Sequence, residues 1–249
     1  MEEILLGPHA VLEALRAGRP LNKIWLAPGG RRPEYGEIVR LARENGVPVQ
    51  LVVPAYLQRL AGSKRAQGVA AQAAPLAYAT LEAILQRATE RQEPPLVLAL
   101  DQIEDPQNLG AVLRSAEATG VHGVVIPARR AAPATAAVAR ASAGALAHVP
   151  LARVGNLART LEELGEAGLT VVGLAGEAET SLFSLSLVGP LVLVVGSEGR
   201  GLRRLVREKC HYLACLPRRG RVNSLNAAAA AAVALYEVLR QRYASENSP

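Results

Sequence analysis

LVLALDQIEDPQNLGAVLRSAEATG (96–120) opens on five apolar residues, passes through a short acidic loop and closes on a segment with helical spacing. An unbroken apolar run needs cover on both faces, which is how a strand of a parallel sheet reads. Asp105 followed by Pro106 marks a helix start, because an Asp side chain caps the first free N–H groups and Pro suits the first helical position. The pattern recurs downstream in GVVIP (123–127), LTVVGLA (169–175), LVLVVG (191–196) and YLACLP (212–217), separated by helical or loop sequence. This is the signature of an α/β domain with a parallel sheet covered on both faces. In such sheets ligands bind beyond the carboxyl ends of the strands, so the residues that follow each strand are the candidates for chemistry.

Upstream, NKIWLA, VPVQLV and QGVAAQA read as strands, and HAVLEALRAG, EYGEIVRLARENG and AYLQRLAG as helices, several stopped by Gly. Residues 1–75 are therefore expected to form a small α/β unit. The amphipathic helix in LAYATLEAILQRATERQEPP is closed by Glu-Pro-Pro, which ends helical geometry. It is read as a linker, 76–94, ahead of a larger domain, 95–249.

Half of the 249 residues are apolar, enough for a substantial core, and 28 Lys and Arg against 22 Asp and Glu leave a formal net charge of +6. That balance favours a polyanion as partner. Arg31 and Arg32 in GGRRP, and Lys64 and Arg65 in GSKRAQG, sit in Gly-bounded loops suited to phosphate contact. The competing reading of such pairs is a solvated face. No apolar run approaches the roughly 20 residues that span a bilayer, and MEEILLGPHA has no signal-type block, so a cytoplasmic protein with no membrane partner is expected. A single Phe and a single Trp argue against a base-stacking platform. Cys210 and Cys215, five apart on one expected strand, are read as buried structural thiols, and with His211 they do not make a tetrahedral metal set.

Three strand ends carry polar residues. After the first come Asn108, in the first turn of the helix, and Arg114, four residues beyond Gly110. The missing side chain at Gly110 is expected to let the guanidinium lean toward Asn108, with an Arg114–Glu117 ion pair as the rival reading. The second, VVGSEGRGL, has glycines at 196, 199 and 201, which is not the GxGxxG dinucleotide pattern. Glu198 in the middle of that loop would repel a pyrophosphate but tolerate a cationic ligand or one with hydroxyl donors. The third, LPRRGRVNSLNAAAAAA, runs into a helix whose cap is expected at Asn223 or Ser224. Arg200, Arg203, Arg218, Arg219 and Arg221 lie around these loops with Arg204, Arg207 and Lys209, opposed locally only by Glu208, and read as a polyanion groove.

DPQNLGAVLRSAEATG, VVGSEGRGL and LPRRGRVNSLNAAAAAA resemble, in order and spacing, the three motifs of SpoU/TrmH-type RNA ribose 2′-O-methyltransferases of the SPOUT class. The resemblance spans 95–242 and implies a parallel sheet with a C-terminal trefoil knot, a homodimer, and S-adenosylmethionine as cofactor. The cofactor would be held at Gly196, Leu216 and Leu225 near Glu198 and Ser224. Asn108, Arg114, Glu198 and Asn226 would surround the reacting centre, with no metal. The start, LLGPHAVLEALRAG, resembles the ribosomal-L30-like substrate-binding domain of the bacterial branch that methylates a guanosine of 23S rRNA. The pattern departs at Arg218, where such proteins usually carry Met, and in the alanines after Asn226. A guanidinium costs on the order of 8 kcal/mol to hold neutral at pH 7, so Arg114 is read as a phosphate and alkoxide contact, with Glu198 orienting it or accepting the proton. A tRNA substrate, or a non-catalytic RNA-binding ribosome-assembly factor, are the alternatives. A dinucleotide oxidoreductase would need a glycine fingerprint where LDQIEDPQN stands.

Overall fold

The computed structural model describes residues 3–16, 19–28, 33–62, 67–73, 78–220 and 224–246. Arg31, Arg32, Lys64, Arg65, Arg221 and the possible cap Asn223 lie outside the described residues. The chain divides into two units, Met1–Ala77 and Tyr78–Pro249.

In the first unit, β1 (Glu3–Leu6), α1 (Pro8–Arg16), β2 (Leu21–Leu26), α2 (Pro33–Glu44), β3 (Val49–Leu51), α3 (Pro54–Ala61) and β4 (Val69–Ala73) build a four-stranded sheet in the order β1-β4-β2-β3. β4 runs antiparallel to both neighbours, while β2 and β3 are parallel. β1 was not legible as a strand. It is four residues long at the sheet edge, too short to show an alternation.

The second unit opens with α4 (Leu81–Arg91), capped by Thr80. This is the amphipathic helix expected within 76–94. Its Ile84 packs in the core of the larger sheet, and Gly123 beneath it has no room for a Cβ, which would come within 2.4 Å of Ile84. Then follow β5 (Leu96–Asp101), α5 (Pro106–Ala118), β6 (Gly123–Pro127), α6 (Ala136–Ala141), β7 (Leu151–Val154), α7 (Leu157–Glu166) and β8 (Thr170–Leu174). β9 (Leu191–Gly196), α8 (Arg204–Arg207), β10 (Tyr212–Ala214) and α9 (Ala227–Glu246) complete it. All six strands are parallel, in the order β10-β8-β9-β5-β6-β7.

Val97, Ala99, Val192 and Val194 face one side and pack against Leu157, Leu161 and Leu164 of α7. The alternate residues Leu96, Leu98, Leu100, Leu193 and Val195 are equally buried and face the other side, where α5 and α9 pack on each other. β7 was missed because its four residues, LARV, include an exposed Arg153. Cys210 and Cys215 are free and half-buried, with only 212–214 in strand geometry between them. The Cys210 Sγ bonds the Val206 carbonyl, and burial pushes its pKa up to about 11, which suits a structural thiol.

Candidate active site

The register of the central strands sets Asp101, the last residue of β5, beside Gly196, the last of β9. The two loops that leave these strands therefore start side by side. Asp105 caps α5 as expected, its carboxylate accepting from Gln107 N at 3.2 Å and Asn108 N at 3.1 Å, which fixes Asn108 in the first turn.

The β9 loop is a tight ring closed by reciprocal backbone bonds between Ser197 and Gly201 (3.2 and 2.9 Å). Gly199 and Gly201 both have positive φ, 79° and 63°, where a side chain is strained. Gly196 is constrained more severely, since a Cβ there would stand 2.3 Å from the Gly201 carbonyl carbon. The ring tip presents Glu198 to solvent.

The cap of α9 is Asn226 rather than Ser224. Its Oδ1 accepts from Ala228 N at 2.9 Å and Ala229 N at 3.3 Å. Because that oxygen must face the helix, its NH2 group faces away, and it donates to Asn108 Oδ1 at 3.0 Å and Glu198 Oε2 at 3.1 Å. One amide thus joins residues drawn from three separate strand ends. Asn108 Nδ2 and Glu198 Oε1 make no further bond among the described residues, leaving a donor and an acceptor at the junction.

Arg114 is not part of that network. Gly110 packs against the end of α6, where an added Cβ would lie 2.3 Å from Ala141 Cβ, so the space expected for the guanidinium is filled by backbone. Arg114 is exposed on α5 and makes no hydrogen bond to Asn108 and no ion pair with Glu117 among the described residues. Nor does Glu198 orient it.

Beside the network is a cavity of about 340 Å³. Gly196, Glu198, Leu216, Ser224 and Leu225 all line it, and so do Ala227 and Ala230 of the alanine run. Its size lies at the lower end for small-molecule sites. Ser197 Oγ is buried with no hydrogen-bond partner in this wall, so a polar ligand group could bond it. Arg218 lies along the rim and donates to the Gly176 carbonyl at 2.8 Å.

The expected polyanion groove is largely neutralised. Arg203 is bound by the fully buried Asp101, which accepts from its backbone N at 2.8 Å and its Nε at 2.7 Å. Arg204 pairs with Glu208, Arg207 with Glu177, and Lys209 with Glu162. The Arg207 bond holds the Glu177 carboxyl below its ordinary pKa. Only Glu208 is near in sequence, so the other three acids were invisible as partners. Arg200 and Arg219 are exposed with no partner among the described residues. Among those residues, no group of His, Cys, Asp and Glu could hold a metal.

Comparison with known proteins agrees with this geometry. Residues 95–236 match the model of the SpoU rRNA Methylase family, and residues 4–79 match that of the RNA 2′-O ribose methyltransferase substrate-binding domain. A Bacillus subtilis (strain 168) protein assigned to the TrmH family of tRNA/rRNA methyltransferases is 45% identical over 240 residues, 96% of each chain. A Staphylococcus haemolyticus relative assigned to the same family is 44% identical over 98% of each. The SpoU methyltransferase AviRb from Streptomyces viridochromogenes, solved with its cofactor AdoMet, aligns with TM-score 0.74 at 27% identity over 97% of this chain and 91% of its own. The chain belongs to the SpoU/TrmH family of RNA methyltransferases.

Proposed function

We propose that this protein transfers a methyl group from S-adenosylmethionine to a ribose 2′-hydroxyl of RNA, with a guanosine of 23S rRNA as the target. The observation that carries the reading is the Asn226 amide. It bonds Asn108 and Glu198 at the mouth of a cavity whose wall holds an unpartnered Ser197 hydroxyl. The cavity suits the cofactor. Gly196 leaves backbone exposed for close approach, and Glu198 tolerates positive charge. When bound, the cofactor supplies an activated methyl on a sulfonium.

The residues then have three tasks. Asn108, fixed by its bond from Asn226, holds the ribose oxygen in line through its free Nδ2, since alignment is the chief requirement of such a displacement. Glu198, through its free Oε1, accepts the hydroxyl proton. Arg114, exposed and unpaired among the described residues, grips the adjoining phosphate. Arg200, Arg219 and Arg221 serve the RNA backbone with Arg31, Arg32, Lys64 and Arg65, whereas Arg203 serves Asp101. Arg218, in place of the usual Met, ties the rim of the cofactor cavity to Gly176.

The first unit is the L30-like domain that recognises the substrate, and the second carries the catalytic site with the C-terminal trefoil knot. The working form is a homodimer. Val233, Tyr236 and Tyr243 are exposed apolar residues on α9, a stripe suited to a second copy. Action on ribosomal RNA accords with a cytoplasmic protein. Among the described residues no helix is long and apolar enough to cross a membrane.

Incubation of unmodified 23S rRNA and bulk tRNA with methyl-labelled cofactor, followed by mapping of 2′-O-methyl positions, tests this reading. Label on a 23S guanosine is expected. Label on tRNA alone overturns the substrate and keeps the reaction, and no label, with no cofactor binding, leaves a ribosome-assembly factor. Arg114→Lys is expected to lose most of the rate, and a wild-type rate would remove the phosphate role.

A further inference from the structure

The loop between β6 and α6 carries two adjacent arginines, Arg129 and Arg130, both exposed and without a hydrogen bond or ion pair among the described residues. Around them the loop is fastened firmly. Ala128 N donates to Val154 O at 2.7 Å, and Ala128 O accepts from Arg153 at 2.6 Å. Ala132, 1% exposed, donates to Ile103 O at 2.8 Å, and Ala134 N donates to the Tyr78 hydroxyl at 3.2 Å. The Arg153 guanidinium lies 5.6 Å over the Tyr78 ring. Arg130 itself has φ +59°, a left-handed conformation that costs a non-Gly residue on the order of 1 kcal/mol. Strain of this kind persists only where the surroundings enforce it, and it tends to mark positions with a task.

The place of the loop says what the task is. Strand order sets β9, β5 and β6 side by side, so Asn108, Asn226 and Glu198 meet beyond the β5 and β9 ends, with β6 next in line. The bond from Ala132 to Ile103 ties the arginine loop to the segment that leads into Asp105 and Asn108. Arg200 stands on the β9 side of the junction and the arginine pair on the β6 side. Arg203, Arg204, Arg207 and Lys209 all have acid partners, whereas Arg129 and Arg130, like Arg114, Arg200 and Arg219, have none among the described residues.

Resting on the RNA reading above, we propose that Arg129 and Arg130 form a second phosphate-binding point, which holds the backbone of the substrate strand on the β6 side of the reacting ribose. A bound strand would then cross the carboxyl edge from Arg200 over the junction to the Arg129–Arg130 loop, with cations flanking the ribose on both sides.

The test is the affinity of full-length protein for unmodified 23S rRNA transcript over a series of salt concentrations, with cofactor affinity measured separately by calorimetry. Loss of two phosphate contacts in Arg129→Gln/Arg130→Gln should flatten the slope of log affinity against log salt by about 1.4 and weaken binding about tenfold at 0.15 M salt. Arg129→Lys/Arg130→Lys should keep the slope. Arg130→Gly, which relieves the left-handed residue, should melt no lower than the parent, separating a lost contact from a lost fold. A parental slope in the Gln pair overturns the proposal, as does equal flattening in the Lys pair. A protein that shows the expected slopes but binds no cofactor would overturn the methyltransferase reading and leave the phosphate contact standing.

Discussion

The two ends of the six-stranded sheet use polar side chains in opposite ways. At the amino end they are consumed by backbone. His122, just before β6, donates its N–H to Leu96 O at 2.9 Å and accepts Leu96 N–H on Nδ1 at 3.0 Å. His211, just before β10, repeats the arrangement with Val171 at 2.8 and 3.0 Å. Arg242 donates to the carbonyls of Pro94, Pro95 and Gly189, which precede β5 and β9. At the carboxyl end, Asn226 bonds both Asn108 and Glu198, and all three stay open to solvent on at least one side. Polar groups that complete a sheet stabilise it, whereas groups that leave capacity unused can serve a substrate. Residue type does not distinguish the two, but the partner does.

Four changes would break or sharpen that contrast. The largest effect is expected for Gly196→Ala, whose Cβ collides with backbone rather than with a movable side chain. It should cost about 3 kcal/mol in thermal unfolding and abolish cofactor binding in calorimetry. Asn226→Ser comes next. Ser still caps a helix but is too short to reach Asn108 and Glu198, so the melting temperature should hold while the methylation rate falls about 100-fold, a barrier change of about 2.7 kcal/mol. A fall in stability of the same size would show that the amide is only a cap.

Asp101→Ala leaves Arg203 without its buried partner. As Arg203 reaches water, the cost should be about 2 kcal/mol, less than for a wholly buried pair, measured by denaturant unfolding. The smallest effect belongs to the amino end. Burial lowers the pKa of His122, against an opposing pull from Glu93, whose Oε2 stands 3.1 Å from Nε2, and with Arg91 and Arg242 adding to the depression. A depressed folded pKa means the unfolded chain binds the proton more readily. Stability is therefore complete above about pH 6.5 and is lost as pH falls below it. A thermal melt at pH 5 should sit lower than at pH 7.5. His122→Ala should melt lower at neutral pH and show less of this dependence.

Much of this design was legible from residues that act locally. The apolar runs of β5, β6, β8 and β9 and the Asp105-Pro106 start need only neighbours in sequence to be understood. What escaped depends on distant pairs. Asp101 and Arg203 lie 102 residues apart, so nothing near either one announces the pair. Gly110 read as an opening for Arg114, yet α6 fills it. The cap at Asn226 was placed two or three residues early, because six alanines carry no apolar period from which to count a helix start. The alanine run is also less uniform than its sequence. Ala231 is wholly buried, Ala230 lines the cavity, and Ala229 faces solvent.

Asn226 also sets an order in time. A ribosome extrudes the chain from its amino end, so the loops bearing Asn108 and Glu198 emerge well before the helix that begins at Ala227. Until that helix forms, Asn226 has no N–H groups to cap and nothing fixes the direction of its amide. The junction is therefore assembled last, after every strand of both sheets has been made. A nascent chain can collapse around its sheet early, but it gains an ordered site only when synthesis of this final helix is under way.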